Sequence, residues 1–278
     1  MTVYTAAMAE LLEHESVDIP TSFGTVRTYR FEGPVGRTPI VLLHGRSAST
    51  PMWRANIPSL MALRPVVSVD LLGEPGMSVQ NEPIGGAADE ARWLDEALTG
   101  LGLDRVHLLG VSIGGWTATS HAVHRPGRAA SLTLLDPAMT FARLPVTTVL
   151  ATLPLVVPGA PEALRRRVLS WIAGGADVDD TLPEAALISA GSTDFVLAKP
   201  PPALFTDEQL RALDVPCLAL IAGRSVIHDA ARAAARARRL LPLGQVELWP
   251  EASHAMNGEF ADEIARRSHR FWEEVDRA

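Results

Sequence analysis

Short apolar runs alternate along the chain with longer segments of helical periodicity. The apolar runs have the length of buried strands, and they cover Ser16–Ile19, Thr25–Phe31, Pro39–Leu43, Val66–Val69, Val106–Leu109, Ser131–Leu135, Val215–Ile221 and Val246–Trp249. The helical segments are Met52–Leu63, Gly86–Gly100, Ile113–His124, Asp229–Leu241 and Phe260–Val275. This alternation predicts an α/β fold with a mostly parallel central sheet of about eight strands and helices on both faces.

One interval interrupts the alternation of strands and helices. Between Met139 and Leu213 no buried strand is predicted, and helix-like pieces are punctuated by prolines up to the run Lys199–Pro202. The interval is too long for a plain loop, so we interpret it as a helical insertion between the sixth and seventh strands. We therefore expect a core of residues 1–138 and 214–278, with residues 139–213 over the carboxyl ends of the strands, where open α/β sheets bind ligands.

Composition and charge narrow the class of protein. The 278 residues include 25 Lys and Arg against 32 Asp and Glu, a formal net charge of −7, and the pI is near 5.6. This balance argues against nucleic-acid binding, which requires a clustered basic surface. No apolar run has the length of a membrane span and no signal segment is evident, so we expect a cytoplasmic protein without a membrane partner. The single cysteine, Cys217, excludes an intramolecular disulfide, and a homodimer is compatible with the sequence.

The segment Gly110–Gly114 carries the first candidate for chemistry. It reads Gly-Val-Ser-Ile-Gly, follows a predicted strand and opens a predicted helix. A nucleophile elbow needs this order, because the tight turn lifts the serine Oγ clear of the sheet and leaves room only for glycine on either side. The helix N-terminus behind the serine adds partial positive charge. We therefore predict that Ser112 is a nucleophile that attacks an acyl carbon.

A serine nucleophile needs a base, and the reaction needs donors for the oxyanion that forms. His254 follows the last predicted strand through a short turn, and the chain order of serine first and histidine last fits a Ser–His pair. The backbone N–H of Ile113, directly after the nucleophile, is one predicted oxyanion donor. The backbone N–H of Arg46, in the loop after Pro39–Leu43, is the other.

These motifs resemble those of the α/β-hydrolase superfamily over nearly the whole chain. The matching features are His44-Gly45 after the third strand, Asp70–Gly73 after the fourth, Gly-x-Ser-x-Gly at 110–114 and Ser253-His254 near the end. The resemblance implies a helical cap at 139–213 and an esterase or lactonase that needs no cofactor. The serine argues against the dehalogenases and epoxide hydrolases of this superfamily, which use aspartate at the elbow.

The position of the triad acid departs from the pattern of the resembled family. There the acid usually follows the strand that corresponds to the seventh predicted strand here, but Ser225 and Val226 occupy the two alignable positions. Asp136 ends the sixth predicted strand and reaches the same histidine from there in other branches of the family, although it also fits an Asx-turn before a proline. Asp229 is the alternative acid, and it equally fits the N-cap of the next helix. A Ser–His dyad without an acid is the remaining option.

The expected reaction needs only protein groups and a small-molecule substrate. No group of His, Cys, Asp and Glu has metal-site spacing and no phosphate-binding loop is evident, so we expect no metal and no cofactor. Trp116, Met139 and Phe141 are the candidate pocket residues, although Trp116 and Phe141 equally suit the core. The prediction is a serine hydrolase that cleaves an ester, lactone or thioester of a small, largely apolar molecule through an acyl-enzyme. The alternatives are a lyase or cyclase that uses His254 and the oxyanion site without an acyl-enzyme, and a catalytically silent binding protein.

Overall fold

Nine strands form one central sheet in the computed structural model, which describes residues 2–157, 159–175 and 183–278. The strands are β1 (Glu15–Thr21), β2 (Gly24–Phe31), β3 (Ile40–Leu43), β4 (Val66–Val69), β5 (Val79–Gln80), β6 (Val106–Val111), β7 (Ala129–Leu135), β8 (Cys217–Ala222) and β9 (Gly244–Trp249). Their order across the sheet is β1-β2-β4-β3-β6-β7-β8-β9, and β5 pairs with β2.

The direction of the strands confirms the predicted, mostly parallel sheet. All neighbours from β4 to β9 in sheet order pair parallel. The antiparallel pairs are confined to the other edge, where β2 pairs with β1, β4 and β5. The sequence did not predict β5, because a strand of two residues shows no periodicity.

Helices cover both faces of the sheet. In the described part of the chain they are α1 (Val3–Met8), α2 (Ile57–Met61), α3 (Ala87–Gly100), α4 (Ile113–His124), α5 (Val146–Val156), α6 (Glu162–Ile172), α7 (Pro183–Asp194), α8 (Asp207–Arg211), α9 (Ala230–Leu240), α10 (Met256–Glu259) and α11 (Ala261–Arg277). The predicted helix Met52–Leu63 is instead a 3₁₀ turn, Thr50–Trp53, followed by α2. Pro58 explains the break, because proline lacks the N–H that a continuing helix needs and suits the first turn of a new one. Among the described residues, no helix combines the length and apolarity needed to cross a membrane.

Each face of the sheet packs against its own layer of helices. On β3, Val41 and Leu43 belong to the apolar cluster with α3, α4 and α9, whereas Ile40 and Leu42 belong to the cluster with α2 and α11. All four side chains are buried, as expected for a parallel strand that is covered on both sides. Cys217 lies in the same core, and burial raises the pKa of its thiol to about 12, so it is an inert core residue.

Helices α5 to α8 lie between β7 and β8, which are the sixth and seventh of the predicted strands. This is the interval predicted to be a helical insertion, and the described part of it contains helices and no strand. Residue 158 and residues 176–182 of the predicted insertion lie outside the described residues. The division into a core and a separate insertion stays a prediction.

Candidate active site

The carboxyl ends of the parallel strands bring the candidate residues to one edge of the sheet. Val111 on β6 pairs with Leu135 on β7, so Ser112 and Asp136, which follow them, lie on neighbouring strand ends. The chain reaches His254 from the same edge, because β9 pairs parallel with β8 and β8 with β7. The sheet therefore gathers residues that are far apart in the sequence.

Ser112 occupies the tight turn between β6 and α4. Its backbone φ of 53° and ψ of −117° lie outside the regions that an L-residue prefers, as a nucleophile elbow requires. A Cβ at Gly114 would lie 2.0 Å from Leu43 O, and one at Gly110 would lie 2.3 Å from Gly114 O. Both positions therefore require glycine.

Backbone hydrogen bonds hold Ser112 against the next strand end. Its N–H donates to Leu135 O at 3.0 Å, and its carbonyl accepts from the Ala138 N–H at 3.2 Å. The same carbonyl accepts from the N–H groups of Gly115 and Trp116 at the start of α4. The elbow after β6 and the turn after β7 are thus one hydrogen-bonded unit.

A short hydrogen bond joins Asp136 to His254. His254 Nδ1 lies 2.6 Å from Asp136 Oδ2, and the two side chains are 12% and 0% exposed. Because an ionised carboxylate only accepts hydrogen bonds, Nδ1 carries the proton and Nε2 is left as a base. The loop is braced one residue earlier, where the Ser253 N–H and Oγ donate to the Glu259 carboxylate.

Three further donors surround Asp136 in the described chain, and no local pattern in the sequence indicates their role. The Ala222 N–H and His228 Nε2 lie 3.1 and 2.9 Å from Oδ1, and Ser225 Oγ lies 2.6 Å from Oδ2. Burial by itself raises the pKa of the Asp136 carboxyl, but the hydrogen bonds from His228 and His254 outweigh it and hold the pKa well below its usual range. Asp136 is therefore an ionised carboxylate at neutral pH.

Asp229, the alternative acid, caps a helix. Its Oδ1 accepts from the Arg232 N–H at 3.0 Å at the start of α9, and its Oδ2 lies 3.3 Å from Arg232 Nε. The side chain is about half exposed. Asp229 thus caps a helix, which is the role that the sequence also allowed. The carboxylate in contact with His254 is that of Asp136.

Buried polar contacts hold the loop after β3. The Leu71 N–H donates to His44 Nε2 at 3.0 Å, so His44 Nδ1 carries the proton that it donates to Gly45 O. Burial lowers the pKa of His44, which keeps this bridging ring neutral. Further along the loop, Ser47 adopts a positive φ of 58° and its N–H donates to Glu74 Oε2 at 3.1 Å.

Arg46 and Ile113 have backbone N–H groups that donate to no acceptor among the described residues. Ile113 is the first residue of α4, where N–H groups lack a partner within the helix. Gly45, next to Arg46, faces the elbow, since a Cβ there would lie 3.7 Å from Ser112 Cβ. The Arg46 side chain turns toward Glu74, with Nη1 3.5 Å from Oε1. The two unpaired N–H groups therefore belong to chain segments that meet at Ser112.

A buried ion cluster lies behind the loop after β3. Lys199 Nζ is 2.9 Å from Glu90 Oε1 and 3.8 Å from Glu74 Oε1, and it donates to Leu72 O at 3.0 Å. All three charged side chains are buried, with exposures of 5% or less. Lys199 belongs to the segment between α7 and α8, so the cluster ties that segment to the loops around the elbow.

The predicted pocket residues pack in or against the core. Trp116 and Phe141 are 3% and 1% exposed and lie in the apolar cluster with α3, α4 and α9. The Trp116 Nε1–H donates to Ala203 O at 2.8 Å, and its ring contacts Phe205. Met139 is half-buried and packs against the same cluster. The structure supports core filling for Trp116 and Phe141, and a pocket role for the three residues stays a prediction.

The pairing of the candidate residues is incomplete in this structure. In the described chain His254 is hydrogen-bonded to Asp136 but not to Ser112. Catalytic hydrogen bonds are often long or poorly aligned without substrate and tighten when it binds. Within the described ranges, no group of three or more His, Cys, Asp and Glu side chains is arranged to hold a metal ion.

A family comparison covers most of the chain. Residues 40–267 match the model of the Alpha/beta hydrolase family. The fold, the elbow at Ser112 and the paired Asp136 and His254 agree with that match. The protein belongs to the α/β-hydrolase family.

Two relatives that align with most of this chain are carboxylesterases by name. The uncharacterized carboxylesterase nap of Bacillus subtilis (strain 168) is 29% identical over 264 residues, which cover 93% of this chain and 86% of that relative. Carboxylesterase YbfK of the same organism is 26% identical over 266 residues, which cover 92% and 87%. The crystal structure of naproxen esterase (carboxylesterase NP) from B. subtilis has a TM-score of 0.87 and 27% identity, over 97% of this chain and 95% of that chain. The protein is accordingly an enzyme of the hydrolase class.

Proposed function

We propose that the protein hydrolyses a carboxylic ester, lactone or thioester through an acyl-enzyme on Ser112. The observation that carries the proposal is the 2.6 Å hydrogen bond from His254 Nδ1 to the buried Asp136, at the sheet edge where the elbow places Ser112. This bond leaves His254 Nε2 as the base that a serine nucleophile needs. The similarity to carboxylesterases supports an ester as the substrate class.

Each group then has a role in the reaction. Ser112 Oγ attacks the acyl carbon while His254 Nε2 takes its proton, and Asp136 stabilises the imidazolium that forms. The N–H groups of Arg46 and Ile113 donate to the oxyanion of the tetrahedral intermediate. His254 returns the proton to the leaving group, and water activated by the same base releases the acid from Ser112.

We further infer that residues 139–213 form a cap over a core of residues 1–138 and 214–278. Two close approaches support the inference: a Cβ at Gly191 in α7 would lie 2.4 Å from Ser47 O, and one at Gly174, just after α6, would lie 2.7 Å from Ser253 Cβ. These helices thus contact the loops on either side of the site. The expectation of a small, largely apolar substrate rests on the apolar character of the interval, whose exposed side chains include Val149, Leu150, Leu153, Leu164, Trp171 and Phe195.

Rapid mixing with a short-chain p-nitrophenyl ester tests the acyl-enzyme. We expect a burst of about one equivalent of p-nitrophenol before the steady state, because this good leaving group makes acylation faster than the water attack that follows. Ser112→Ala abolishes the burst and the turnover. The control is Ser59→Ala, which alters a half-buried serine of α2 bonded to Asp262 and keeps both. Turnover without a burst, unchanged in Ser112→Ala, would rule out the acyl-enzyme.

A lyase or cyclase is the second candidate function. It is favoured by the acid that follows β7 rather than β8 and by the lack of a hydrogen bond between Ser112 and His254 in the described chain. In such a reaction His254 does acid–base work and no acyl-enzyme forms. Turnover that requires His254 but survives Ser112→Ala would support this candidate over ester hydrolysis.

A further inference from the structure

Two histidines share the buried carboxylate of Asp136. Oδ2 accepts from His254 Nδ1 and Ser225 Oγ, and Oδ1 accepts from His228 Nε2 and the Ala222 N–H. A carboxylate has about four lone-pair sites, so these four donors satisfy it. The proposed reaction assigns no role to His228 or Ser225.

The surroundings of His228 fix its tautomer. The residue is 4% exposed, and its Nδ1 has no hydrogen-bond partner among the residues that the structure describes. Since the ionised Asp136 only accepts, the proton lies on Nε2. His228 is therefore a hydrogen-bond donor to Asp136 and not a second base for Ser112.

We propose that His228, together with Ser225, is a positioning residue that holds the Asp136 carboxylate in the orientation that His254 requires. The inference rests on the proposed role of Asp136 as the acid of the site. With Oδ1 held by His228 and by the backbone of β8, Oδ2 stays directed at His254 Nδ1. The loop between β8 and α9, which carries Ser225 and His228, is anchored to α5, because Thr148 Oγ1 donates to Val226 O at 2.6 Å.

Steady-state kinetics of His228 variants give the first readout. In His228→Phe a planar ring remains but the donor is lost, so kcat falls about 10- to 100-fold, the range for losing a hydrogen bond to a charged group, while KM is unchanged. His228→Gln keeps an N–H donor and recovers most of the activity. The matched control is His269→Phe in α11, which removes another buried histidine, bonded to Ser59 O, and keeps the wild-type kcat.

The pH profile gives a readout that a purely structural role would not move. His228 and His254 are the titratable groups that face Asp136 in the described chain. Without the hydrogen bond from His228 the Asp136 carboxylate interacts more strongly with the protonated form of the base that it contacts. The acidic limb of kcat/KM, which reports protonation of that base, therefore moves to higher pH in His228→Phe and stays in place in His269→Phe.

A double-mutant cycle tests whether His228 acts through Asp136. If it does, Asp136→Asn/His228→Phe is as slow as Asp136→Asn alone. Multiplicative losses, or a folded His228→Phe with wild-type kcat and an unmoved acidic limb, overturn the role of His228 and leave the reaction assignment intact. Wild-type activity in Asp136→Asn overturns the proposed acid, and the role of His228 with it.

A second variant covers the case in which His228→Phe does not fold. Ser225→Ala removes the Oγ donor to Asp136 Oδ2 with little change in volume. It must lower kcat and show the same non-additivity with Asp136→Asn. An Asp136→Asn/Ser225→Ala protein in which the two losses multiply contradicts the positioning role.

Discussion

Four residues at the carboxyl edge of the sheet hold backbone conformations that non-glycine residues rarely adopt. Among the non-glycine residues that the structure describes, the positive φ values belong to Ser47, Ser112, Asp136 and Met139, at 58°, 53°, 41° and 51°. Each follows β3, β6 or β7 closely in the sequence. Such conformations cost about 1–3 kcal/mol each and persist where the surroundings impose them. Two of the four, Ser112 and Asp136, are residues on which the proposed reaction depends.

Replacement of Asp229 separates a helix cap from a catalytic acid. Asp229→Ala removes the acceptor for the Arg232 N–H at the start of α9, so the free energy of unfolding falls by about 1 kcal/mol while kcat/KM is unchanged. Urea unfolding and ester hydrolysis measure the two quantities. Asp229→Asn is the control, since asparagine also caps helices, and a folded Asp229→Asn protein without activity would contradict the capping role.

Site residues could be predicted where the neighbouring elements in the sequence mark them. Ser112 was predicted because strand, elbow glycines and helix follow one another, and His254 because it comes after the last strand. Ser225 and His228 lie 89 and 92 residues from Asp136, so no local pattern links them to it. Their position after β8, where the resembled family usually carries the acid, was the available signal.

At the scale of elements, the buried cation of Lys199 holds the segment between α7 and α8 in place. Within the described ranges, Lys199→Met leaves Glu90 without a cation and Glu74 with only the partly exposed Arg46. Breaking a buried ion pair costs about 3–5 kcal/mol, because the remaining charge stays desolvated. We expect a loss of stability of that size, measured by urea unfolding.

An exposed pair in α8 provides the control for Lys199. Arg211 is 52% exposed and lies 3.5 Å from Asp207, so Arg211→Met changes the stability by no more than about 1 kcal/mol. A Lys199→Met protein as stable as Arg211→Met would show that the buried cluster does not hold the segment.

The sequence predicts best the elements that are buried along their whole length. The strands of the parallel sheet are apolar runs, and β6, β7 and β8 are buried over nearly their whole length. The bounds of α5 to α8 were not predicted, and these helices bury few side chains in the structure. Helix α1 was missed as well, because six residues span too few turns to show a period.

For the whole molecule, buried histidines couple stability to pH. Burial lowers the pKa of four of them, which are His44, His107, His121 and His269. The pKa of His107 falls to about 4, because burial outweighs the attraction of Asp276, whose Oδ1 lies 3.3 Å from Nε2. Between pH 6.5, the pKa of a histidine in the unfolded chain, and pH 4, the unfolded chain therefore binds more protons than the folded one. Stability is therefore intact above the unfolded value near pH 6.5 and is lost as the pH falls toward 4.

Urea unfolding at a series of pH values measures this coupling. Between pH 6.5 and 4 we expect the free energy of unfolding of the wild type to fall, with His107 contributing on the order of 1–3 kcal/mol. His107→Gln lacks the titrating group, so its stability falls less over the same interval. Parallel curves for the two proteins would exclude His107 as a source of the pH dependence.

Labelling by a fluorophosphonate tests the assignment of Ser112, His254 and Asp136 most directly. The rate of labelling reports the activated serine, and peptide mass spectrometry locates the adduct. We predict an adduct on Ser112 in the wild type and in Asp229→Asn, and labelling slower by up to about 10⁴-fold in Asp136→Asn, where the imidazole loses its carboxylate. An adduct elsewhere, no adduct in the wild type, or equal rates in Asp136→Asn and the wild type would contradict the assignment.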